Sequence, residues 1–190
     1  MISGFLCPVH TPDGEPCGLL NHLARECRIT TKKLEVAHVP GLLAALGMTE
    51  CFTSSIDGRM NHCVQLDGCV IGWAPPDLCV TLATALRIWK TEGKNAVPLD
   101  LEIGLVPPSN GGLYPGLYLF STRARMMRTV RYLANGRDDS IGSFEQVYMN
   151  IAVKPEEIST GPYSHVEVSV TSFLSILATL TPFSDFNQVS

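Results

Sequence analysis

Positive charge is scarce in this sequence of 190 residues. Lys and Arg total 14 against 18 Asp and Glu, which gives a formal net charge of −4. A protein that binds nucleic acid on its own draws most of its affinity from a basic face that neutralises phosphates. The composition therefore argues against a free-standing nucleic-acid binder. It leaves open a part of a larger assembly whose basic channel is lined by other segments.

Several signatures of independent function are also missing. The sequence contains no Gly-x-x-x-x-Gly-Lys loop for phosphates and no Gly-x-Gly-x-x-Gly dinucleotide fingerprint. No apolar run is long enough to cross a bilayer, and the first residues lack the pattern of a secretory signal, so we expect no membrane partner. With 45% hydrophobic and 17% charged residues, the composition is that of an ordinary globular protein.

The cysteines form neither a disulfide framework nor a metal-ligand pattern. Their number, seven, is odd and no two are tightly paired in sequence, which suits reduced thiols in a nuclear or cytosolic protein. Four residues of the types that ligate zinc do lie in one stretch, but the spacing between the cysteines matches no common zinc knuckle. A zinc-stabilised interaction module stays open as an alternative, built on Cys7, His10, Cys17 and His22, and so does a purely structural protein-interaction module. A stand-alone thiol enzyme is another, because a nearby His can activate a Cys.

Hydrophobic periodicity predicts an α+β fold with mixed or antiparallel strands, a few short helices and irregular loops at both ends. The clearest helix covers residues 78–89 and is followed by Gly93. A shorter helix is predicted over residues 39–46. Asp67-Gly68, placed between two apolar runs, predicts the turn of a β-hairpin.

Strands are predicted where apolar residues alternate with polar ones or cluster. Between residues 99 and 106, Asp100 and Glu102 alternate with apolar residues, so we expect one face of this strand to be exposed to water. A last helix is predicted within residues 170–177. Further strands are predicted over residues 28–37, 117–120, 126–133, 144–153 and 165–168.

Most of the positive charge lies in one short region. Guanidinium groups are ordinary partners of phosphate, but they equally suit the polar face of a strand. The candidates for phosphate contacts are Arg123, Arg125, Arg128 and Arg131. Paired carboxylates in the chain are more typical of a solvated surface than of acid–base chemistry. The residues therefore predict no catalytic side chain and no metal ligand.

Both ends of the sequence resemble motifs of one family. Residues 5–22 read Phe-Leu-Cys-Pro-Val-His-Thr-Pro-Asp-Gly-Glu-Pro-Cys-Gly-Leu-Leu-Asn-His. They closely resemble a motif of the second-largest subunits of multisubunit DNA-dependent RNA polymerases, in which Cys-Pro is followed by Thr-Pro-(Glu or Asp)-Gly and Gly-Leu. Residues 180–188, Leu-Thr-Pro-Phe-Ser-Asp-Phe-Asn-Gln, resemble a second motif of that subunit, which continues into Ser-Pro-Arg-Asn in the family. Two matches in the right order identify the sequence as a member of this family.

Details within these motifs resemble the RNA polymerase I version of the subunit. His10 precedes Thr-Pro, and Asp13 stands where the other versions usually carry Glu. Residues 19–22 read Leu-Leu-Asn-His, whereas the polymerase II and III versions more often resemble Gly-Leu-Val-Lys-Asn at this place. Residues 113–117 and 145–150 also resemble the polymerase I version. The equivalent subunit of polymerase II or III is the alternative.

The resemblance covers nearly the whole chain but a minority of the full-length subunit, and it implies three regions. Residues 1–27 would belong to the end of the fork region, residues 28–165 to an external scaffold domain, and residues 166–190 to the start of the hybrid-binding region. Phe186 stands where the family often has a His. By resemblance, the residues that line the active centre or contact nucleic acid are Pro12, Asp13, Gly14, Asp185, Asn187 and Gln188.

The resemblance also implies that the chemistry belongs to the assembled enzyme. The parent enzyme would extend RNA by two-metal nucleotidyl transfer with Mg²⁺. In the family, the metal-binding carboxylates lie mainly on the largest subunit, so we expect this chain alone to hold no cofactor and to be inactive. The expected partners are the largest and other polymerase subunits, the DNA template and the RNA transcript. The expected location is the nucleus, in the nucleolus.

Overall fold

A computed structural model describes residues 4–51, 61–108 and 114–184. These residues form two five-stranded sheets, four α-helices and a 3₁₀ helix at Pro155–Thr160, which confirms the predicted α+β class. The strands are β1 (Cys27–Ile29), β2 (Thr49–Glu50), β3 (His62–Leu66), β4 (Cys69–Ala74), β5 (Glu102–Val106), β6 (Gly116–Phe120), β7 (Met126–Tyr132), β8 (Asp138–Gly142), β9 (Ile151–Ala152) and β10 (His165–Glu167). The helices are α1 (Val39–Ala45), α2 (Pro76–Glu92), α3 (Ser143–Gln146) and α4 (Ile176–Leu180). In this part of the chain, no helix is long and apolar enough to span a membrane.

The first sheet carries the main hydrophobic core. Its strand order is β2-β4-β3-β6-β5, in which β3 and β6 run parallel and the other neighbours antiparallel. Helix α2 lies across β3, β5 and β6 and buries Leu82 and Leu86 completely, in one cluster with Ile103 and Leu117. Full burial of one such side chain contributes about 1.5–3 kcal/mol, so this cluster holds the helix on the sheet.

The second sheet is built around β7. Strand β8 pairs with one edge of β7, while β1 and β10 share the other edge. In the register, Cys27 lies opposite Arg128 and His165 lies opposite Tyr132. Strand β9 extends the sheet in parallel with β10. Strands from near both ends of the chain therefore lie side by side on one edge of β7.

Three local predictions are confirmed. Helix α1 matches the predicted helix over residues 39–46. Helix α2 ends before Gly93, whose φ of +69° is the left-handed conformation that commonly terminates a helix. Asp67 and Gly68 turn the chain from β3 to β4 with φ values of +50° and +85°. Two successive positive φ values are what a two-residue hairpin turn of type I′ requires.

The predictions of strands over residues 117–120, 126–133 and 165–168 are confirmed by β6, β7 and β10, but the strand over residues 144–153 is wrong. Most of that segment is α3 and a turn, and only Ile151–Ala152 is extended. The Glu145 carboxylate accepts the Gly142 N–H at 2.9 Å, which supports the start of the helix. The Phe144 ring packs against Tyr118 and Phe120 of the first sheet. These contacts outweigh the apolar pattern of the segment.

The predicted water-exposed face of the strand over residues 99–106 is also wrong. Strand β5 begins at Glu102, and this side chain is buried. Its carboxylate accepts the backbone N–H groups of Phe144 at 2.8 Å and Glu145 at 3.2 Å. Helix α3 and strand β8 contact β5, so the alternating polar residue marks a buried hydrogen-bonding site.

Two predicted elements are shorter in the structure. The strand predicted over residues 28–37 ends at Ile29, after which the chain leaves β7 and runs toward α1. The helix predicted within residues 170–177 begins only at Ile176, because the Ser175 hydroxyl accepts the Ala178 N–H at 3.2 Å and caps α4. A cap inside an apolar stripe sets the start of the helix.

Candidate active-centre loop and its supporting contacts

The predicted loop near the start of the chain is closed at its base by a short antiparallel pairing. Leu6 and Leu23 form a β-bridge. On either side of it, the Cys7 N–H donates to the His22 carbonyl and the Ala24 N–H donates to the Phe5 carbonyl, both at 2.9 Å. Phe5 and Ala24 are buried together with Cys27. Residues 7–22 therefore leave and re-enter the fold at one anchored point.

One threonine braces the interior of this loop. The Thr11 hydroxyl donates to the Leu20 carbonyl at 3.1 Å and accepts the Gly18 N–H at 2.8 Å. Gly14 and Gly18 have φ values of +84° and +76°, a region that an L side chain rarely adopts. The Cys17 N–H donates to the Gly14 carbonyl at 3.0 Å and closes a turn at the far end. The loop has a defined path even though most of it is exposed.

The predicted site residues of the loop lie together on its exposed part. Pro12 is half-buried, while Asp13 and Gly14 are exposed. Because Pro12 fixes its own φ and Gly14 turns the chain, the Asp13 carboxylate stands on a short and constrained segment. This arrangement can present a carboxylate to a partner without a long flexible side chain. Whether these residues line an active centre stays a prediction.

The loop packs against the other predicted terminal region. Cys7 is buried with Leu174 and Ala178, and Val9 packs against the same cluster. The Arg25 N–H donates to the Leu174 carbonyl at 2.8 Å. Residues 1–27 and 166–190, predicted as separate regions, therefore share one small core in the described part of the chain. Nothing in their separate sequences indicated this contact.

The second group of predicted site residues follows directly after the contact of Cys7 with Leu174 and Ala178, which we call the seam. Asp185, Asn187 and Gln188 lie outside the described residues. The last described residue, Ser184, is buried, and its hydroxyl donates to the Ala178 carbonyl at 2.5 Å. The chain therefore enters residues 185–190 from a position fixed on α4.

The four residues of the zinc alternative do not converge on one point. His10 stacks on His22 with ring centroids 3.5 Å apart, and His10 Nδ1 shares a hydrogen bond with the Ser175 hydroxyl at 2.8 Å. Cys7 is buried in the seam and Cys17 is exposed. Within residues 4–51, 61–108 and 114–184, no three Cys, His, Asp or Glu side chains are grouped so as to hold a metal ion. Stacked imidazole rings turn their faces, not their nitrogens, toward each other.

The four candidate arginines have different surroundings. Arg128 is buried, donates to the Glu167 carboxylate at 2.7 Å and lies over the Phe5 ring. Arg125 donates to Glu102 at 3.4 Å and to the Asp100 carbonyl at 3.0 Å. Arg131 forms an exposed ion pair with Asp138. Arg123 is exposed and makes no ion pair with a described residue.

These surroundings bear on the predicted phosphate contacts. The guanidinium of Arg128 is buried and paired with the Glu167 carboxylate, so it joins β7 to β10 beside the base of the loop. Arg123 is the member of the group whose guanidinium faces solvent without a carboxylate among the described residues. Phosphate binding at all four positions stays a prediction, and the structure favours Arg123 most.

Sequence reasoning missed a buried ion-pair network between the two sheets. Lys90 of α2 is completely buried, with its ammonium 2.9 Å from an Asp139 carboxylate oxygen. Arg87 donates to Asp139 at 2.6 Å and to Glu145 at 2.7 Å. His165 Nε2 lies 3.1 Å from Asp139. The sequence did indicate that this lysine is buried, because Lys90 follows Leu86 by four residues and so lies on the apolar stripe of α2.

The network shifts the pKa values of its members. Burial alone raises the pKa of Asp139, but the Lys90 ammonium, the hydrogen bond from His165 and the Arg87 guanidinium together hold it well below its ordinary value. Burial lowers the pKa of His165, although the Asp139 carboxylate opposes that change. Burial and the nearby Glu145 carboxylate raise the pKa of Glu102. The charges are thus matched inside the fold, which is typical of a structural network.

An open cavity of about 300 Å³ lies beside this network. Its wall includes Arg87, Glu145 and His165, together with Tyr148 and Met149. The charged groups in its wall already bind one another. The arrangement therefore supports the junction of the sheets.

Comparison with known proteins agrees with these features. Residues 2–29, which contain the loop, match the family model described as RNA polymerase Rpb2, domain 3. Residues 71–128 match the model described as RNA polymerase I, Rpa2 specific domain. The chain is 55% identical over 186 residues to DNA-directed RNA polymerase I subunit RPA135 of Saccharomyces cerevisiae, covering 97% of this chain and 16% of that protein. It is 43% identical over 192 residues to DNA-directed RNA polymerase I subunit RPA2 of Homo sapiens, with the same coverage.

The match over residues 2–29, which contain the anchored loop, gives the class, a segment of the second-largest subunit of a multisubunit RNA polymerase. The polymerase I-specific match and the relatives narrow this further. The chain belongs to the family of second-largest subunits of DNA-directed RNA polymerase I. It spans about a sixth of the length of the curated relatives it matches (16% for the first). The alternative of a polymerase II or III subunit is not supported.

Proposed function

We propose that this chain serves as a structural segment of an RNA polymerase I second-largest subunit and contributes to the active-centre cleft of the enzyme that transcribes rRNA genes. One observation carries the proposal. The similarity to polymerase I subunits extends over 97% of the chain, and it includes both terminal segments that the structure joins in one seam. A segment that only resembled the family at one motif would not share identity throughout its scaffold.

In this proposal, the exposed part of the loop lines the active-centre cavity. Pro12, Asp13 and Gly14 lie on a constrained turn whose base is anchored beside Phe5. Asp185, Asn187 and Gln188 would continue from α4 toward RNA and incoming nucleotide. Asn and Gln amides can donate to phosphate and accept from a 2′-hydroxyl, which suits that position.

The middle of the chain acts as scaffold in this proposal. The seam of Cys7, Leu174 and Ala178 holds the two terminal segments at a fixed separation. Strand β7 supports both segments through β1 and β10, and the buried pairs of Arg87 and Lys90 with Asp139 join that sheet to α2. Rigid support of this kind is needed because small displacements of positioning groups slow an enzyme strongly.

The proposed chemistry is nucleotidyl transfer by the assembled polymerase, in which Mg²⁺ stabilises the attacking and leaving oxygens. In the described part of the chain, no three carboxylate, His or Cys side chains are grouped to hold a metal ion, and by family resemblance the Mg²⁺ ligands would lie mainly on the largest subunit. We therefore assign no catalytic step to this chain, and we propose that the chain alone is inactive.

The proposed partners follow from family membership. As part of a polymerase I subunit, the chain would assemble with other polymerase subunits, the largest among them, and would lie near the DNA template and RNA transcript. The same membership implies a nuclear location. We place it more narrowly in the nucleolus, where rRNA genes are transcribed.

A chimeric subunit tests the proposal. The part of Saccharomyces cerevisiae RPA135 that matches residues 4–188 of this chain would be replaced by those residues, and the chimera would be the only copy in the cell. We expect it to copurify with the other polymerase I subunits and to sustain growth and rRNA synthesis. The identity of 55% makes replacement of the whole scaffold a realistic test.

Matched variants sharpen this experiment. Asp13→Ala changes an exposed side chain without a described hydrogen bond, so it should preserve assembly while lowering rRNA synthesis by the purified enzyme. Glu15→Ala removes another exposed carboxylate two residues away and is the control. A chimera that fails to assemble, or one that assembles but makes no rRNA, would contradict the proposal.

A further inference from the structure

Two segments that are distant in sequence form an open basic cleft. Its walls come from the chain after β1 and from the chain between β6 and β7, and it encloses about 600 Å³. The residues that line this basic cleft are Thr31, Lys32, Lys33, Thr122 and Arg123. The sequence indicated Arg123 alone, because Lys32 and Lys33 join it only through the fold.

Backbone hydrogen bonds fix both ends of the basic cleft. At one end, the Ala124 N–H donates to the Thr30 carbonyl at 2.7 Å, and the Thr30 N–H donates to the Arg125 carbonyl at 2.9 Å. At the other end, the Leu34 N–H donates to the Ser121 carbonyl at 3.0 Å. Each wall is therefore a short segment held at both ends, and the three cations remain close together.

These three cations differ from most others in the chain. The majority of described Lys and Arg side chains lie within 4 Å of a carboxylate oxygen, as in the pairs of Arg28, Arg87 and Arg128. Lys32, Lys33 and Arg123 are exposed and have no such partner among the described residues. The Asp67 carboxylate next to the cleft accepts the N–H and hydroxyl of Ser121. A chain with a net charge of −4 thus carries a local excess of positive charge here.

The lining of the basic cleft selects the kind of partner. Each of its five residues carries an ammonium, guanidinium or hydroxyl group, and the aliphatic parts of the same side chains form much of the wall. Protein partners normally bury an apolar centre, whereas nucleic-acid interfaces are polar and strongly positive. We propose that the basic cleft binds the phosphate backbone of a nucleic acid without reading its sequence. This inference rests on the proposed function, because the assembled polymerase would supply the nucleic acid that the basic cleft binds.

Binding of the 190-residue chain to a fluorescein-labelled RNA–DNA hybrid across a salt series tests the proposal. Three phosphate contacts predict a slope of about −2.7 in log K against log salt, hence a loss of roughly 40-fold between 50 and 200 mM. The variant K32A/K33A/R123A should bind at least about 10-fold more weakly at 50 mM and lose most of the slope. The control K94A/R137A/K154A removes three exposed cations elsewhere and should keep the slope.

Three results would overturn the inference. One is the absence of measurable binding at 20 mM salt, and another is an equal loss in both triple variants. The third is displacement of the hybrid by poly-glutamate at the same charge concentration, which would assign the cleft to an acidic protein segment. Growth of the chimeric yeast strain is a separate measurement. A failure of hybrid binding would therefore not contradict the proposed function, and a failure of the chimera to support growth would not contradict phosphate binding by the basic cleft.

Discussion

The buried carboxylate of Asp139 provides the sharpest prediction about this fold. Its side chain is fully buried and has three partners, which are Arg87, Lys90 and His165. In Asp139→Asn, Arg87 keeps the Glu145 carboxylate, whereas the buried Lys90 ammonium keeps only the carbonyls of Leu101 and Ser140. Removing one partner of a buried ion pair costs about 3–5 kcal/mol, because an uncompensated charge stays inside the protein. We expect a loss of that size in the free energy of unfolding.

Urea unfolding followed by tryptophan fluorescence measures this loss, since Trp89 packs against the main core. The control is Asp138→Asn, the neighbouring carboxylate, which is about half exposed and pairs with the exposed Arg131. An exposed pair of this kind contributes about 0–1 kcal/mol. If Asp139→Asn leaves too little folded protein to measure, the double variant Lys90→Met/Asp139→Asn should recover part of the stability, because it removes the buried unpaired ammonium.

The pH dependence of the same variant gives an independent check. The pKa of Asp139 is lowered in the fold, so its stabilising contribution is present above the ordinary value of about 3.9 and is lost as pH falls below it. The difference between the parent chain and Asp139→Asn should therefore narrow below pH 4, by about 1 kcal/mol per pH unit. An equal cost for the two Asn variants, or a difference that stays constant down to pH 3, would refute the reasoning.

Three further predictions concern packing, titration and thiol access. Gly142→Ala should lower the free energy of unfolding in urea by about 1–3 kcal/mol, because the added Cβ would lie 2.0 Å from Glu102 Cδ. Gly41→Ala, with open space around it in α1, should instead raise the free energy of unfolding by about 0.5–1 kcal/mol. Equal effects of the two substitutions would contradict the packing. Burial lowers the pKa of His165, so the unfolded chain takes up a proton first and stability falls as pH drops below about 6.5. His165→Gln should flatten that fall between pH 6.5 and 5 in thermal unfolding, and an unchanged slope would argue against it. A thiol reagent at neutral pH should label the folded chain at the exposed Cys17, Cys51 and Cys69. Burial raises the pKa of Cys79 to about 11, so this thiol should react only after unfolding. A single hyper-reactive thiol would instead favour the thiol-enzyme alternative.

Local sequence signals predicted the elements that local physics determines. Helix α2 has proline in its first turn, an apolar stripe and a terminal glycine, and these act within a few residues of one another. The hairpin depends on Asp67 and Gly68, whose positive φ values select the turn directly. Such elements need little from the rest of the chain.

The wrong predictions occur where a distant segment determines the result. Alternation of polar and apolar residues at β5 cannot distinguish water from a buried partner, and the partner of Glu102 is the backbone of α3, about 40 residues later. Phe144 is apolar enough for a strand, but its packing on Tyr118 and Phe120 and the Glu145 cap favour a helix. In both places, contacts between the sheets outweigh local preference.

The sequence by itself determined the α+β class, the main helix, the hairpin and, through the two terminal motifs, the polymerase family. Only the tertiary structure decided which charged residues are buried in ion pairs and which are exposed to solvent. Arg123, Arg125 and Arg128 look alike along the chain, yet Arg128 is buried against Glu167, Arg125 lies beside Glu102, and Arg123 stands with Lys32 and Lys33 in the basic cleft. The physical reason is that the environment of a charge depends on the groups the fold places within a few ångströms of it, and these partners lie 20 to 90 residues away in sequence.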